Sequence, residues 1–405
     1  MKKILPLLMI IALLIGCDNK ENPPAEETQP MELTQVQRVK VAQDNDFSFE
    51  LFKQTLANTN ESNVFISPLS VSIALGMTWN GAAGNTKTEM EKALKISGIS
   101  TKDINEYYKL ILSSLPEMDP KIKLSIANSI WYRNTFSVKP NFLNTNIDYF
   151  NAEISPLDFT KPEAVSTINK WCNDKTNGLI PKVLDKIEDG HVMFLINAIY
   201  FKGIWVKQFK KKDTNEGNFT NEKNQSVKVN YMNMTETFAY AEDEYAQYLE
   251  MPYGNSTFSM TVILPKGKVG EADFNELTNE RFNNAEQKMA NEKVTVQFPR
   301  FKVENKFQLK PMLQAMGMQK AFTKIAEFDG ISNLKPLYID FVQHDTYVKV
   351  TEEGTEAAAV TTVGITGAIS NNPQFIANKP FAFVIKEKNS GIILFMGKMG
   401  NVEKY

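Results

Sequence analysis

Two histidines, His191 and His344, and two cysteines, Cys17 and Cys172, are all the imidazole and thiol that this 405-residue chain carries. A serine or cysteine nucleophile activated by imidazole would have to use one of those histidines, and no G-x-S-x-G turn lies near either. There is no nucleotide-binding glycine loop and no paired-carboxylate signature. The expectation is a protein that is not an enzyme and needs neither metal nor cofactor. What the chain does hold is a stretch on which another protein's chemistry could act: Thr351–Ser370, TEEGTEAAAVTTVGITGAIS. It contains no proline and no aromatic ring. Positions 355, 357, 359, 361, 363 and 365 read Thr, Ala, Ala, Thr, Val and Ile, all uncharged. Alternate side chains of a strand point to opposite faces, so this set could fill one face of a sheet while Glu356 faces out. Yet the stretch is short of large apolar groups and has little reason to be buried at the outset. It reads as a strand in waiting, and its composition fits a plain Gly/Ala/Thr surface loop as well.

The elements that must carry this stretch follow from periodicity. Phe47, Leu51, Phe52 and Leu56 recur at helical spacing. Ser67-Pro68 ahead of an apolar run starts a second helix, Gly81–Gly84 stops it, and a third runs through Met90 and Leu94. Ile168–Leu184 is a helix ended near Asn177-Gly178. Strand-like segments are Ile126–Tyr132, the start of Phe194–Phe209, a hairpin in Tyr248–Pro265, Lys293–Phe301, Tyr338–Val350, Phe375–Val384 and Ile392–Met399. A short helix spans Leu309–Phe322. Asn197 is the odd residue in a buried strand, and a buried amide must find partners. Helices crowd the first half and strands occur throughout, which is α+β rather than alternating βαβ. The chain is 42% hydrophobic and 23% charged with a net charge of -2, ordinary for a globular core and no sign of nucleic-acid binding. The run Lys207, Lys210, Lys211 and Lys212 leads directly into Asp213 and Glu216, as a solvated loop does. Length alone suggests two or three domains.

The amino terminus reads as a targeting segment. Lys2 and Lys3 precede a short apolar run that closes on Leu14-Ile15-Gly16-Cys17. Its end resembles a bacterial lipoprotein box, which implies cleavage before Cys17 and lipidation of that residue; an ordinary signal peptide ending by chance in cysteine is the alternative. Residues 1–16 are then a signal peptide, 17–42 a disordered, lipid-anchored tether, and 43–405 the folded domain. The expected location is that of an exported, membrane-anchored lipoprotein, at an outer membrane or cell surface. With Cys17 outside the domain, Cys172 is left as a free thiol.

Four segments in order, NVFISPLSVSIALGMTWNGAAGNT, NAIYFKGIW, EEGTEAAAVT, and NKPFAFVI followed by LFMGKM, give the chain a resemblance to the serpin family over about residues 43–402. The resemblance implies one domain, not several, with three β-sheets, eight or nine helices and Thr351–Ser370 as an exposed reactive loop. It implies an irreversible suicide inhibitor of serine proteases, with cysteine proteases left open: the target forms an acyl-enzyme on the loop, the loop inserts into the largest sheet, and the protease is trapped. A non-inhibitory serpin acting as a binder or chaperone is the alternative. Carried over residue by residue, the hinge is Glu352, Glu353, Gly354, Thr355, Glu356, Ala357, Ala358 and Ala359. The polar cluster beneath the middle of the sheet, the shutter, is Ser67, Ser70, Asn197 and His344. Trp205 and Arg300 lie at the top of the sheet, the breach, and Arg300 is expected to pair with Glu352. Counting from Gly354 puts the reactive bond at Ala368–Ile369, and counting back from Lys379-Pro380-Phe381 puts it at Ile369–Ser370. The expected partners are a target protease in covalent complex and a membrane through the lipid anchor, with the protein otherwise a monomer.

Overall fold

Helix α1 runs from Gln35 to Ala57 and opens on a reciprocal cap: the Gln37 N–H donates to the Thr34 hydroxyl while the Thr34 N–H donates to the Gln37 side chain. This corrects the tether boundary at residue 42 and the helix start near Phe47. The cause is Lys40, which interrupts the apolar period yet is buried. Its ammonium pairs with Asp44 one turn on and lies about 5 Å from the Tyr107 and Tyr108 ring centres. Burial lowers its pKa, against the opposing pull of Asp44. The structure, a computed structural model, describes residues 31–270, 274–355 and 372–404.

Seven further helices are described. They are α2 (Pro68–Trp79), α3 (Gly84–Ala93), α4 (Thr101–Ser114), α5 (Pro140–Phe150), α6 (Pro162–Lys175), α7 (Asn279–Gln287) and α8 (Lys310–Ala315). Ser67 caps α2 and Pro68 opens it, as its sequence requires. The last helix is shorter than Leu309–Phe322, because Gly317 turns to a φ of +100° and only a 3-10 turn follows at Lys320–Phe322.

The strands are β1 (Asn63–Ile66), β2 (Ile122–Arg133), β3 (Ala152–Leu157), β4 (Met193–Ile204), β5 (Asn215–Thr220), β6 (Ser226–Glu242), β7 (Ala246–Tyr253) and β8 (Phe258–Pro265). There follow β9 (Ala290–Pro299), β10 (Phe301–Gln308), β11 (Gln343–Thr351), β12 (Gly354–Thr355), β13 (Gln374–Ile376), β14 (Phe381–Glu387) and β15 (Ile393–Met399). Strands β1-β15-β14-β8-β7 form one layer and β5, β6, β9 and β13 a second. The long β6 belongs to both, because its last residues, from Ala239, pair with β7. The third layer has the order β10-β11-β12-β4-β2-β3.

That third layer positions the site. Helix α2 packs against both β4 and β15, so it lies between the layers. Beside it the rings of Phe65, Phe383, Phe395 and Phe201 fill the core. On the opposite face α6 covers β2 and β4 with a separate cluster that includes Trp131, Ile168, Trp171 and Phe194. Cys172 belongs to this cluster; burial, with Asp345 adding to it, pushes its thiol up to about 12, so it is a core residue and not a nucleophile.

Candidate functional site

Between β4 and β11 the six-stranded sheet is held together by two residues. Gly354 pairs with Ile204 on one side and Thr351 on the other, and Thr355 pairs with Gly203 and Val350. Below them, no pairing joins β4 directly to β11 among the described residues. A cavity of about 340 Å3 occupies the lower part of this gap, with α2 behind it and residues 180–184 in front. Among the described residues, β4 and β11 are therefore paired only through this bridge at the top of the sheet.

Several contacts fix the bridge. Gly354 has a φ of +147°, and a Cβ there would lie 2.1 Å from the Gly203 carbonyl oxygen, so only glycine fits. The Thr355 hydroxyl is 2.8 Å from that of Tyr253, in a site leaving the residue 3% exposed. The Tyr253 ring stacks on Trp205 and occupies the space that a side chain at Gly203 would need. Trp205 receives the turn: its backbone N–H donates to the Glu353 carbonyl at 2.8 Å and its indole N–H to the Thr351 carbonyl at 3.0 Å. The Phe209 N–H takes the Glu352 carbonyl at 2.9 Å. Tyr253 was not among the residues singled out from sequence; its place at the turn of the Tyr248–Pro265 hairpin was the available signal.

The ion pair expected between Arg300 and Glu352 is present. The Arg300 Nε–H donates to Glu352 Oε1 at 2.8 Å, Nη2 also reaches that oxygen, and the Thr214 hydroxyl donates to it at 2.5 Å. The glutamate is buried and the arginine one-quarter exposed, so this is not the exposed pair whose contribution would be near zero. Glu353 is buried too. Burial opposes its charge, but Lys211 at 2.7 Å and the Thr351 hydroxyl outweigh that and hold its carboxyl below the usual range. Thr351–Thr355 are thus not part of an exposed loop. Buried acids need partners, and here every one is matched by a cation or a hydroxyl. In Glu352→Lys, two cations would face each other with no acid between them, at a cost on the order of 3 kcal/mol. That variant is expected to melt earlier and to polymerise faster on mild heating; an unchanged rate on native gels would show that the pair does not hold the bridge.

The shutter residues converge beneath the gap. The Ser67 N–H donates to His344 Nε2 at 2.9 Å, the Ser67 hydroxyl donates to the Leu394 carbonyl at 2.8 Å, and the Ser70 N–H returns to that hydroxyl. With Nε2 accepting, His344 is neutral, and burial pulls its pKa down to about 4. The unfolded value near 6.5 lies above that, so this group removes stability as pH falls from about 6.5 toward 4. Asn197 donates to Asn128 Oδ1 at 2.7 Å, and Asn128 in turn donates to the Phe150 carbonyl. The Asn197 carbonyl oxygen is buried without a partner among the described residues. Asn128 was missed in the sequence, although it interrupts IANSIWY as Asn197 interrupts its own strand. Cys17, Glu356, Ala357, Ala358, Ala359, Ala368, Ile369 and Ser370 lie outside the described residues.

The described site is thus a glycine-threonine bridge between β4 and β11 at the top of the six-stranded sheet, with buried polar side chains beneath its middle. The family model described as Serpin (serine protease inhibitor) matches residues 42–402. An uncharacterised serpin-like protein of Thermococcus kodakarensis is 33% identical, with 99% of each chain covered. The leukocyte elastase inhibitor of Bos taurus is 33% identical over 89% of this chain and 98% of its own. The crystal structure of the thermophilic serpin tengpin in its native state superposes with a TM-score of 0.83 at 36% identity, covering 92% of this chain and 96% of that one. The chain belongs to the serpin family, whose members include protease inhibitors.

Proposed function

We propose that this serpin is an irreversible suicide inhibitor of serine proteases that prefer a small or aliphatic residue, acting by acyl-enzyme trapping and loop insertion. The observation that supports the reading is the bridge: Gly354 and Thr355 already pair with both β4 and β11, and among the described residues nothing else pairs the two strands. Serpin loop insertion is itself a standing example of strand addition. In this chain its register can be worked out. Each further loop residue meets the preceding residue of β4 and of β11. Ala357 then falls between Phe201 and Val348, and Ala359 between Ile199 and Thr346. Small residues thus meet large core-facing neighbours, with no proline, charge or bulk to obstruct entry. Thr361 falls between Asn197 and His344, where its hydroxyl can serve the unpartnered Asn197 oxygen.

In the reaction, the protease serine attacks the reactive-bond carbonyl, the bond to the following amine breaks, and the loop is held as an ester. Insertion of about 15 residues at roughly 3.3 Å each carries the protease on the order of 50 Å. Deacylation needs an intact oxyanion hole in the protease, and the pull on the ester distorts it. The test is incubation with a panel of serine proteases. A stoichiometric complex that survives SDS, and a raised Tm after loop cleavage, are expected. Ordinary turnover of the loop without either would reverse the reading.

The targeting segment completes the proposal: Cys17 is the lipidated first residue of the mature protein and tethers the domain to a membrane. Cys17→Ser should release the domain, and mass spectrometry of the parent should find an acylated terminus. A Cys17→Ser protein that stays membrane-bound would remove the anchor.

A further inference from the structure

The gap between β4 and β11 is joined at its base as well as its top. Just ahead of β4, the His191 Nε2 lies 3.1 Å from Asp340 Oδ2, and Asp340 stands just ahead of β11. The Glu188 N–H donates to His191 Nδ1 at 3.1 Å. A ring nitrogen that accepts carries no proton, so Nε2 holds the imidazole hydrogen and donates it to Asp340. The imidazole also packs edge-on against Phe194 of β4 and against Phe341, with ring centres 5.4 and 5.5 Å away, and the two phenyl rings are 6.0 Å apart. Each half is anchored to its own side. Arg133 of β2 holds the His191 and Asp189 carbonyls, and Lys310 donates to the Asp340 carbonyl. The contact therefore ties the base of β4 to the base of β11, and His191, Phe194, Asp340 and Phe341 also line the cavity between the strands and α2.

We propose that His191, Phe194, Asp340 and Phe341 form a clasp that limits how far the loop can enter the sheet, and that full insertion requires the clasp to open. The inference rests on the insertion reading above. Continued down β4, the hinge register brings Gly364 opposite Phe194. An added strand lies about 5 Å from each neighbour, so two strands in contact must move about 5 Å further apart in all. Residues up to Val363 pass positions where, among the described residues, β4 and β11 do not pair, whereas Gly364 meets rings in contact. Gly364 adds no side chain to that crowding, so the obstacle is the clasp and not the loop.

The clasp then divides two outcomes. An uncleaved loop, still tethered at both ends, gains little from each added pair and stalls above the clasp. A cleaved loop gains a whole strand and forces the clasp open. Weakening the clasp should therefore speed spontaneous insertion of the uncleaved loop while trapping of a protease changes little.

The experiment uses the full chain, uncleaved, held at mild heat. Over time it measures the fraction converted to a monomer of raised Tm whose loop resists proteolysis. Asp340 is half-exposed, so its variants should fold. Asp340→Ala removes one partly solvated, charge-assisted bond and is expected to convert about fivefold faster than the parent. His191→Ala also removes the ring that packs on both phenylalanines and is expected to convert about tenfold faster or more. Asp340→Asn keeps an acceptor for the imidazole hydrogen and is expected to stay close to the parent, which general loosening of the base would not produce. If Asp340→Ala and His191→Ala convert at the parent's rate while cleavage of their loops still raises Tm, the clasp is overturned and the insertion reading stands. If cleavage raises Tm in none of the proteins, parent included, both fall together.

Discussion

Thr355→Arg is expected to turn the protein from an inhibitor into a substrate. Thr355 already lies in the core-facing side of the bridge, its hydroxyl on Tyr253 and its backbone paired to Gly203 and Val350. An arginine there must bury an unpaired guanidinium beside a tyrosine ring or pull the hinge out of the sheet. Either costs several kcal/mol, and each 1.4 kcal/mol added to the insertion barrier slows it about tenfold. Cleavage should persist, because the residues around the reactive bond are untouched. Deacylation then wins the race against insertion. The measurement is the ratio of SDS-stable complex to cleaved product at fixed protease, and the yield of complex should fall by at least tenfold. Thr355→Ser keeps the hydroxyl and should retain most of the yield. An unchanged yield in Thr355→Arg would contradict the insertion mechanism.

The second large effect concerns which proteases are caught. Counting 14 residues beyond Gly354, the family's usual hinge length, places the reactive bond at Ala368–Ile369, which keeps that insertion length; Ile369–Ser370 is the alternative count. Both offer a small or aliphatic residue. No lysine or arginine occurs anywhere from Thr351 to Ala377. A trypsin-like pocket holds a buried acid that demands a basic side chain. Elastase- or subtilisin-like proteases should therefore be trapped rapidly and trypsin not measurably. Ala368→Arg should reverse that order. The released fragment should begin at Ile369. Trapping of trypsin as fast as elastase, or a fragment beginning at neither Ile369 nor Ser370, would sink the assignment.

Much of this site was legible because its signals are local. Ser67-Pro68 caps a helix wherever it stands, and Gly354 after two acids marks a backbone that no side chain could follow. The Thr/Ala alternation predicted an inward side beginning at Thr355, and Thr355 faces inward; the positions after it lie outside the described residues. What the sequence concealed depends on partners far along the chain. Glu352 and Glu353 read as part of an exposed loop: the family resemblance supplied the Arg300–Glu352 pair, but nothing nearby predicts that Thr214 and Lys211 also converge and bury both acids. Lys40 hid a helix start for the same reason: an ammonium on an apolar stripe looks like the end of a pattern until Asp44 and two tyrosine rings close over it. The base of the gap was invisible too, since His191 and Asp340 are 149 residues apart and meet only after both strands are placed.

Among the described residues, β4 and β11 do not pair with each other and are joined through Gly354 and Thr355. On the insertion proposed above, the segment that follows Thr355 adds its backbone hydrogen bonds between those two strands. On that proposal the uncleaved fold sits above a lower-energy arrangement of its own sequence, separated from it by a barrier and not by composition. Its persistence is a lifetime. Denaturant or heat applied to the uncleaved protein will report how fast the barrier is crossed, so an apparent midpoint will depend on scan rate. The cleaved form, with its edges paired, should melt without that dependence until a much higher temperature.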